Sequence, residues 1–264
     1  MRWQAVSILM MNGTPMLLFC VLLAAALGPG ARASAGDAHV QSLLVEPWGT
    51  DSIRVRASPE GRPIATDAPG ALEPTAPPPS TSSGTKGPGW AVSGALNCTV
   101  GADGRLAFYR GEELLLREAS PRVFGETVHD GVSNLSVVFE LDQTEQIWGL
   151  GQTGSDFLQA SGCQPTAPEN GHVLIPLAHS SKGFSFFLNL PSYGTVCVDA
   201  GTFTWHSRGA LNFDLWVTAA PVGQAALPAA MANYVSATGK PTPFPYWTTG
   251  PVHNPPPRSQ HPSA

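Results

Sequence analysis

The chain has 264 residues, with 14 Lys and Arg against 19 Asp and Glu, for a formal net charge of −5. That balance argues against nucleic acid or an anionic membrane surface as partner. The length admits one large domain or two small ones.

The first 15 residues hold Arg2 and no acidic side chain, and 16–27 form an unbroken apolar run, MLLFCVLLAAAL. A bilayer span needs about 20 apolar residues, so this run is too short to remain as a mature helix. Ala31-Arg32-Ala33 and Ala33-Ser34-Ala35 both fit a signal-peptidase site. Residues 1–35 are therefore expected to be a secretory signal peptide. The mature chain would be secreted or lie in an endomembrane lumen, with no membrane contact after cleavage.

Residues 36–57 supply the first strands, with Ser52-Ile53-Arg54-Val55-Arg56 alternating polar and apolar as a half-buried strand does. Across 58–89 the composition turns to Pro, Gly, Ser and Thr, which predicts a flexible insertion without apolar anchors. From Trp90 the strand pattern resumes. Short strands are predicted over 95–100, 106–110, 114–117, 137–141 and 146–150, with a hairpin reversing at Asp103-Gly104. An irregular loop follows over 151–171, then strands over 173–176, 183–190, 195–199, 203–206 and 211–218. Turn signals at intervals of about ten residues indicate an antiparallel sandwich. Only 222–238 has helical spacing, through Leu227, Met231, Tyr234 and Val235. Gly239 and the prolines at 241, 243 and 245 end that helix. The expected sandwich domain is 90–240, followed by a linker over 241–250.

Of the four cysteines, Cys20 lies in the signal. Cys98, Cys163 and Cys197 remain as disulfide candidates, an odd number in an oxidising compartment, so one thiol is left over. Asn97-Cys98-Thr99 and Asn134-Leu135-Ser136 make Asn97 and Asn134 glycosylation candidates.

Five segments in order carry a family resemblance. They are Gly104-Arg105-Leu106 with Leu114-Leu115-Leu116-Arg117-Glu118; Gln146-Ile147-Trp148-Gly149-Leu150-Gly151-Gln152; Ile175-Pro176-Leu177 with Ser180-Ser181-Lys182-Gly183-Phe184; Asn189-Leu190-Pro191-Ser192-Tyr193-Gly194; and Leu211-Asn212-Phe213-Asp214-Leu215-Trp216. Together they resemble the amino-terminal domain of glycoside hydrolase family 31, the α-glucosidase and α-xylosidase family. The resemblance implies a mainly β fold: an antiparallel β-sandwich of the galactose-mutarotase-like supersandwich type, with one short C-terminal helix. Leu190 and Asn212 depart from the family pattern, which often has Asn and Asp there. In the family, a segment like Trp247–Gly250 leads into a catalytic (β/α)₈ barrel. Here Gly250 is followed by PVHNPPPRSQHPSA. The expectation is a domain lacking its barrel, with 251–264 an aberrant disordered tail. Of the aromatics Trp148, Phe184, Phe186, Phe187, Phe213 and Trp216, those pointing outward would face the missing barrel.

Retaining glycosidases need two carboxyl groups about 5 Å apart. The resemblance places both in the barrel, so no catalytic residue is assigned and the chain is expected to be inactive. Asp142, Glu145, Asp156, Glu169, Asp199 and Asp214 are read as solvated carboxylates at strand ends and turns. His172, His179 and His206 match no metal-ligand spacing, so no metal or cofactor is expected. Ser180-Ser181-Lys182 reads as a polar turn. The loop over 152–172 is the candidate sugar-binding element, because the family's loop there helps shape the substrate pocket. Asp156, Phe157, Gln159, Glu169 and Asn170 are its residues suited to hydrogen-bonding or stacking on a sugar. The implied partner is a carbohydrate, an α-glucoside or α-xyloside. The alternatives are a stand-alone secreted carbohydrate-binding module and a gene-model fragment of an α-xylosidase or α-glucosidase.

Overall fold

The structure, a computed structural model, describes residues 42–66, 68–75, 83–85, 89–129, 131–152, 158–166 and 173–245, with backbone only for 83–85, 128 and 129. The expected signal peptide and the 251–264 tail lie outside these residues. Strands β1 (Ser42–Pro47), β2 (Ser52–Ser58), β3 (Ser83–Thr85), β4 (Trp90–Ser93), β5 (Leu96–Val100), β6 (Leu106–Arg110), β7 (Glu113–Glu118) and β8 (Val123–His129) come first. They are followed by β9 (Val132–Glu140), β10 (Ile147–Gln152), β11 (Gly162–Pro165), β12 (Val173–Ser180), β13 (Phe184–Leu188), β14 (Gly194–Asp199), β15 (Thr202–Ala210) and β16 (Phe213–Ala219), then helix α1 (Ala226–Thr238).

The strands form two sheets, one of six strands in the order β1-β2-β16-β13-β12-β10 and one of ten running β11-β14-β15-β9-β7-β6-β5-β4-β3 with β8 also on β9. Neighbours are antiparallel throughout. The antiparallel sandwich with one short helix is thus the observed fold. Between the sheets, Phe186 of β13 meets Phe203 of β15 edge to face at 4.8 Å and Phe139 of β9 at 5.8 Å. Such tilted pairs match the positive edge of one ring to the negative face of another.

The six-stranded sheet has a second buried face. Leu177, Phe187, Trp216, Arg54 and Glu46 are successive register partners from β12 to β1. Helix α1 lies over this row. Tyr234 packs its ring on Phe187 and Trp216, Ala237 is buried beside them, and Asn233 donates to Thr218 at 2.9 Å. This corrects two expectations. The outward aromatics Phe187 and Trp216 are covered by the chain's own helix, and β2 is buried at all its positions instead of on one face.

Three local differences have physical causes. The helix begins at Ala226, not 222, because Gly223 takes φ +86° and Gln224 donates back to the Pro221 carbonyl in a turn. Segment 68–75 is anchored within the expected insertion. Leu72 is buried, and the Glu73 amide donates to the Ala237 carbonyl at 2.8 Å. Strand β11 arises inside the expected loop because its pairing with β14 is a tertiary relation that local pattern does not encode.

Candidate functional site

The segment Asn189-Leu190-Pro191-Ser192-Tyr193-Gly194 links β13 to β14 and forms a fixed platform. Its backbone folds on itself, with the Leu190 amide donating to Leu188 at 2.8 Å and Ser192 to Leu190 at 2.9 Å. Outside donors hold it further: Arg208 N–H to the Tyr193 carbonyl at 2.7 Å, Thr166 N–H to Gly194 at 3.0 Å, and Thr166 Oγ1 to Ser192 at 3.3 Å. The Ser192 and Ser207 hydroxyls also share a hydrogen bond. Gly194 has no room for a side chain, since a Cβ there would lie 1.7 Å from the His206 carbonyl oxygen.

Asn189 anchors the platform's start. Its Nδ2 donates to Asp214 at 2.7 Å, while its Oδ1 accepts from the Ala71 amide at 2.7 Å. Asp214 in turn accepts two hydrogen bonds from Arg54, at 2.8 and 2.6 Å. The Arg54 guanidinium stacks 4.3 Å from the Trp48 ring centre. Asp214, read as a solvated carboxylate, is instead 1 % exposed. It serves as the counter-ion that a buried guanidinium requires. Sequence reasoning passed over Asn189 and Arg54 as site builders; for Arg54 the polar residue at every second position of β2 was the available signal.

Along the platform runs a cleft of about 840 Å³ lined by Val173, Ile175, Phe187, Asn189, Tyr193 and Tyr234, among others. Its walls are mostly apolar. Tyr193 stands 64 % exposed at the rim, and Val173 and Ile175 are also open to solvent. Burial pushes the Tyr234 hydroxyl above its ordinary pKa. The arrangement is chemically a stacking surface with a few hydroxyl and amide groups. Every carboxylate discussed above that the structure describes lies elsewhere.

Of the candidate sugar-binding residues, Asp156, Phe157, Glu169 and Asn170 fall outside the described residues. Gln159 bridges to Trp148 of β10, next to the Ala160 amide donating to Ile147 at 2.8 Å. Thr166, toward the end of the same loop, lines the cleft. Cys163 and Cys197 are opposed partners in the β11–β14 ladder and form a disulfide. Cys98 does not take part. It is the thiol left over, buried in the core, where desolvation pushes it far above its ordinary value. His172 lies outside the described residues. His179 hydrogen-bonds Ser185 at 2.7 Å, His206 lies on β15, and no cluster of metal-binding side chains occurs among the described residues. Ser180-Ser181-Lys182 is a turn closed by Gly183 N–H on the Ser180 carbonyl at 3.0 Å. The glycine-rich β10 carries a bulge between Gly149 and Gly151.

No protein-family model matches the chain. The chain is 28 % identical over 239 residues to an uncharacterized family 31 glucosidase of Pseudescherichia vulneris, covering 80 % of this chain and 44 % of that protein. An α-xylosidase of the same family from a soil metagenome, solved with xylose, superposes with a TM-score of 0.64 at 30 % identity, over 75 % of this chain and 32 % of that one. A xylosidase from Aspergillus niger gives 0.64 at 21 % identity, over 75 % and 31 % of the two chains. The resemblance read from the five segments therefore holds: these relatives and structural neighbours are family 31 enzymes, and the chain corresponds to part of them. It spans less than half the length of each.

Proposed function

We propose that this sandwich is the non-catalytic domain of a family 31 glycosidase and that it meets carbohydrate at the Tyr193 cleft. The observation that carries the reading is the rim position of Tyr193 on a hydrogen-bonded platform, with Tyr234 in the cleft beside it. An exposed ring on a rigid support suits the apolar face of a pyranose, because little conformational entropy is lost on binding. The α-xylosidase solved with xylose and the family 31 glucosidase relative point to α-xylosides and α-glucosides as the sugars. The non-catalytic role is supported by the engagement of two buried carboxylates in structural pairs, Asp214 with Arg54 and Glu118 with Arg122. A second reading, a self-standing binding module, draws support from α1, which seals the outer sheet face from within the chain. Secretion is supported by the Cys163–Cys197 disulfide, a bond that persists in oxidising compartments.

The test is titration of the chain with xylose, glucose and isomaltotriose, followed by amide chemical shifts. Shifts clustered on 189–194 and 173–176, lost in Tyr193→Ala with the fold intact, are expected. Shifts confined to another surface, or none at high sugar concentration, would sink the reading. Aryl α-glucosides and α-xylosides should not be hydrolysed; turnover abolished by changing an acidic residue would refute the non-catalytic role.

A further inference from the structure

The outer face of the ten-stranded sheet bears one place where the ladder opens on both sides of a single residue. Strand β9 pairs with β8 and with β15. Its register with β8 shifts between Phe124 and Thr127, and its register with β15 shifts between Ser207 and Ala210. Asn134 sits between the two bulges. Gly125 lies beside it on β8, where an added Cβ would come within 3.2 Å of the Asn134 Cβ, and Gly209 on the β15 side faces open space. A bulge spreads the strands and re-aims side chains. Two of them, with a glycine in each, clear room around one amide.

Asn134 points outward, while its neighbours Ser133 and Leu135 are buried. Ser136 follows on the same outward face, so the acceptor amide and the hydroxyl two residues on share one surface. Among the described residues the Asn134 side chain makes no hydrogen bond. It lines a shallow cleft of about 530 Å³ with Val123, His206 and Arg208. Val123 is 59 % exposed there, apolar surface that a first sugar ring could cover. Asn97 differs in each respect. Its strand pairs in unbroken register on both sides, it is half-buried, and its amide donates to the Gly111 carbonyl at 3.3 Å.

We propose that Asn134, and not Asn97, carries an N-linked glycan. The inference rests on the proposed secretory route. The amide nitrogen of Asn134 bonds to the anomeric carbon of a lipid-pyrophosphate-linked oligosaccharide. The bond from that carbon to the pyrophosphate oxygen breaks, the lipid pyrophosphate leaves with the electron pair, and one amide proton passes to solvent. The glycan would cover the outer face of the ten-stranded sheet and leave the Tyr193 cleft, built on β12 and β13, free.

The chain is translated in the presence of eukaryotic microsomes, once behind its own leader and once behind a heterologous one. The luminal product is digested with peptide N-glycosidase and mapped by mass spectrometry. The expected result is one glycan, Asn-to-Asp conversion at position 134, and loss of the shift in Asn134→Gln and in Ser136→Ala but not in Asn97→Gln. Luminal chain without sugar at Asn134, or with sugar at Asn97, overturns the assignment. Glycosylation only behind the heterologous leader leaves the site standing and removes the secretory reading instead.

Discussion

Arg54 and Asp214 sit on neighbouring strands, β2 and β16, and meet in two side-by-side hydrogen bonds beneath the segment that bears Ala71 and Leu72. The pair is buried, with side-chain exposures of 8 % and 2 %. Its worth lies in what each charge would cost alone.

Asp214→Asn should therefore destabilise the fold by about 3–5 kcal/mol, because Arg54 keeps its charge and loses its counter-ion. Replacing both residues with apolar ones, Arg54→Met with Asp214→Leu, should cost less than Asp214→Asn alone, the remaining loss coming from the Asn189 amide that is left without its acceptor. Denaturant unfolding of the three chains checks this. A double variant as unstable as Asp214→Asn would refute the charge argument.

Gly194→Ala should destabilise by at least about 1–3 kcal/mol, the usual range for overpacking. The obstacle is the His206 carbonyl, a backbone atom 1.7 Å from the new Cβ, which cannot swing aside. A thermal midpoint unchanged from the parent chain would show that the turn has slack.

Much of this was legible in advance. Alternation and turn residues located most strands, and the order of five short motifs pointed to the family. The failures share one cause: they depend on what lies across space. Arg54 and Asp214 look like solvent-facing positions of half-buried strands until α1 and the Leu72 segment close over them. Strand β11 holds only Gly-Cys-Gln-Pro and exists because β14 accepts it. Strand β8 was missed because its pairing with β9 is broken by bulges. At the candidate site, Thr166 lies within the loop that the resemblance singles out, while Tyr193 stands in the sequence only as part of a family motif, with no local pattern that places it at a cleft.

Cys163→Ser should remove about 3–4 kcal/mol of stability, the scale of releasing a loop closed by a disulfide of sequence separation 34. Proteolysis between positions 153 and 172 should quicken in parallel. In the parent chain, Cys98 should stay unreactive toward thiol reagents until the fold is denatured, since it is fully buried. Rapid labelling of Cys98 under native conditions would contradict its place in the core.

His179 should make the fold acid-sensitive. Burial holds its folded pKa below the ordinary value of 6.5, so the unfolded chain binds the proton first. Its contribution is fully present above that value and is lost as pH falls below it. Between about pH 8 and pH 5, the denaturation midpoint of the parent should fall more than that of His179→Gln. Parallel curves for the two chains would remove His179 as the cause. Carboxylates held low by local hydrogen bonds, such as Asp103 and Asp142, act in a more acidic range.

A sheet enclosed on both sides should tolerate mutation differently from one enclosed on a single side. Along β9 and β15 acceptance of polar substitutions should rise and fall at every second position, the ordinary signature of a strand with a wet face. Along β2, β13 and β16 that rhythm should vanish. Inward positions there demand hydrocarbon, and outward ones demand the particular ring, hydroxyl or ion that α1 and the Leu72 segment were built to cover. Homologues would then vary least along these three strands, β2 among them, although its alternating polar residues suggest that half of it is surface.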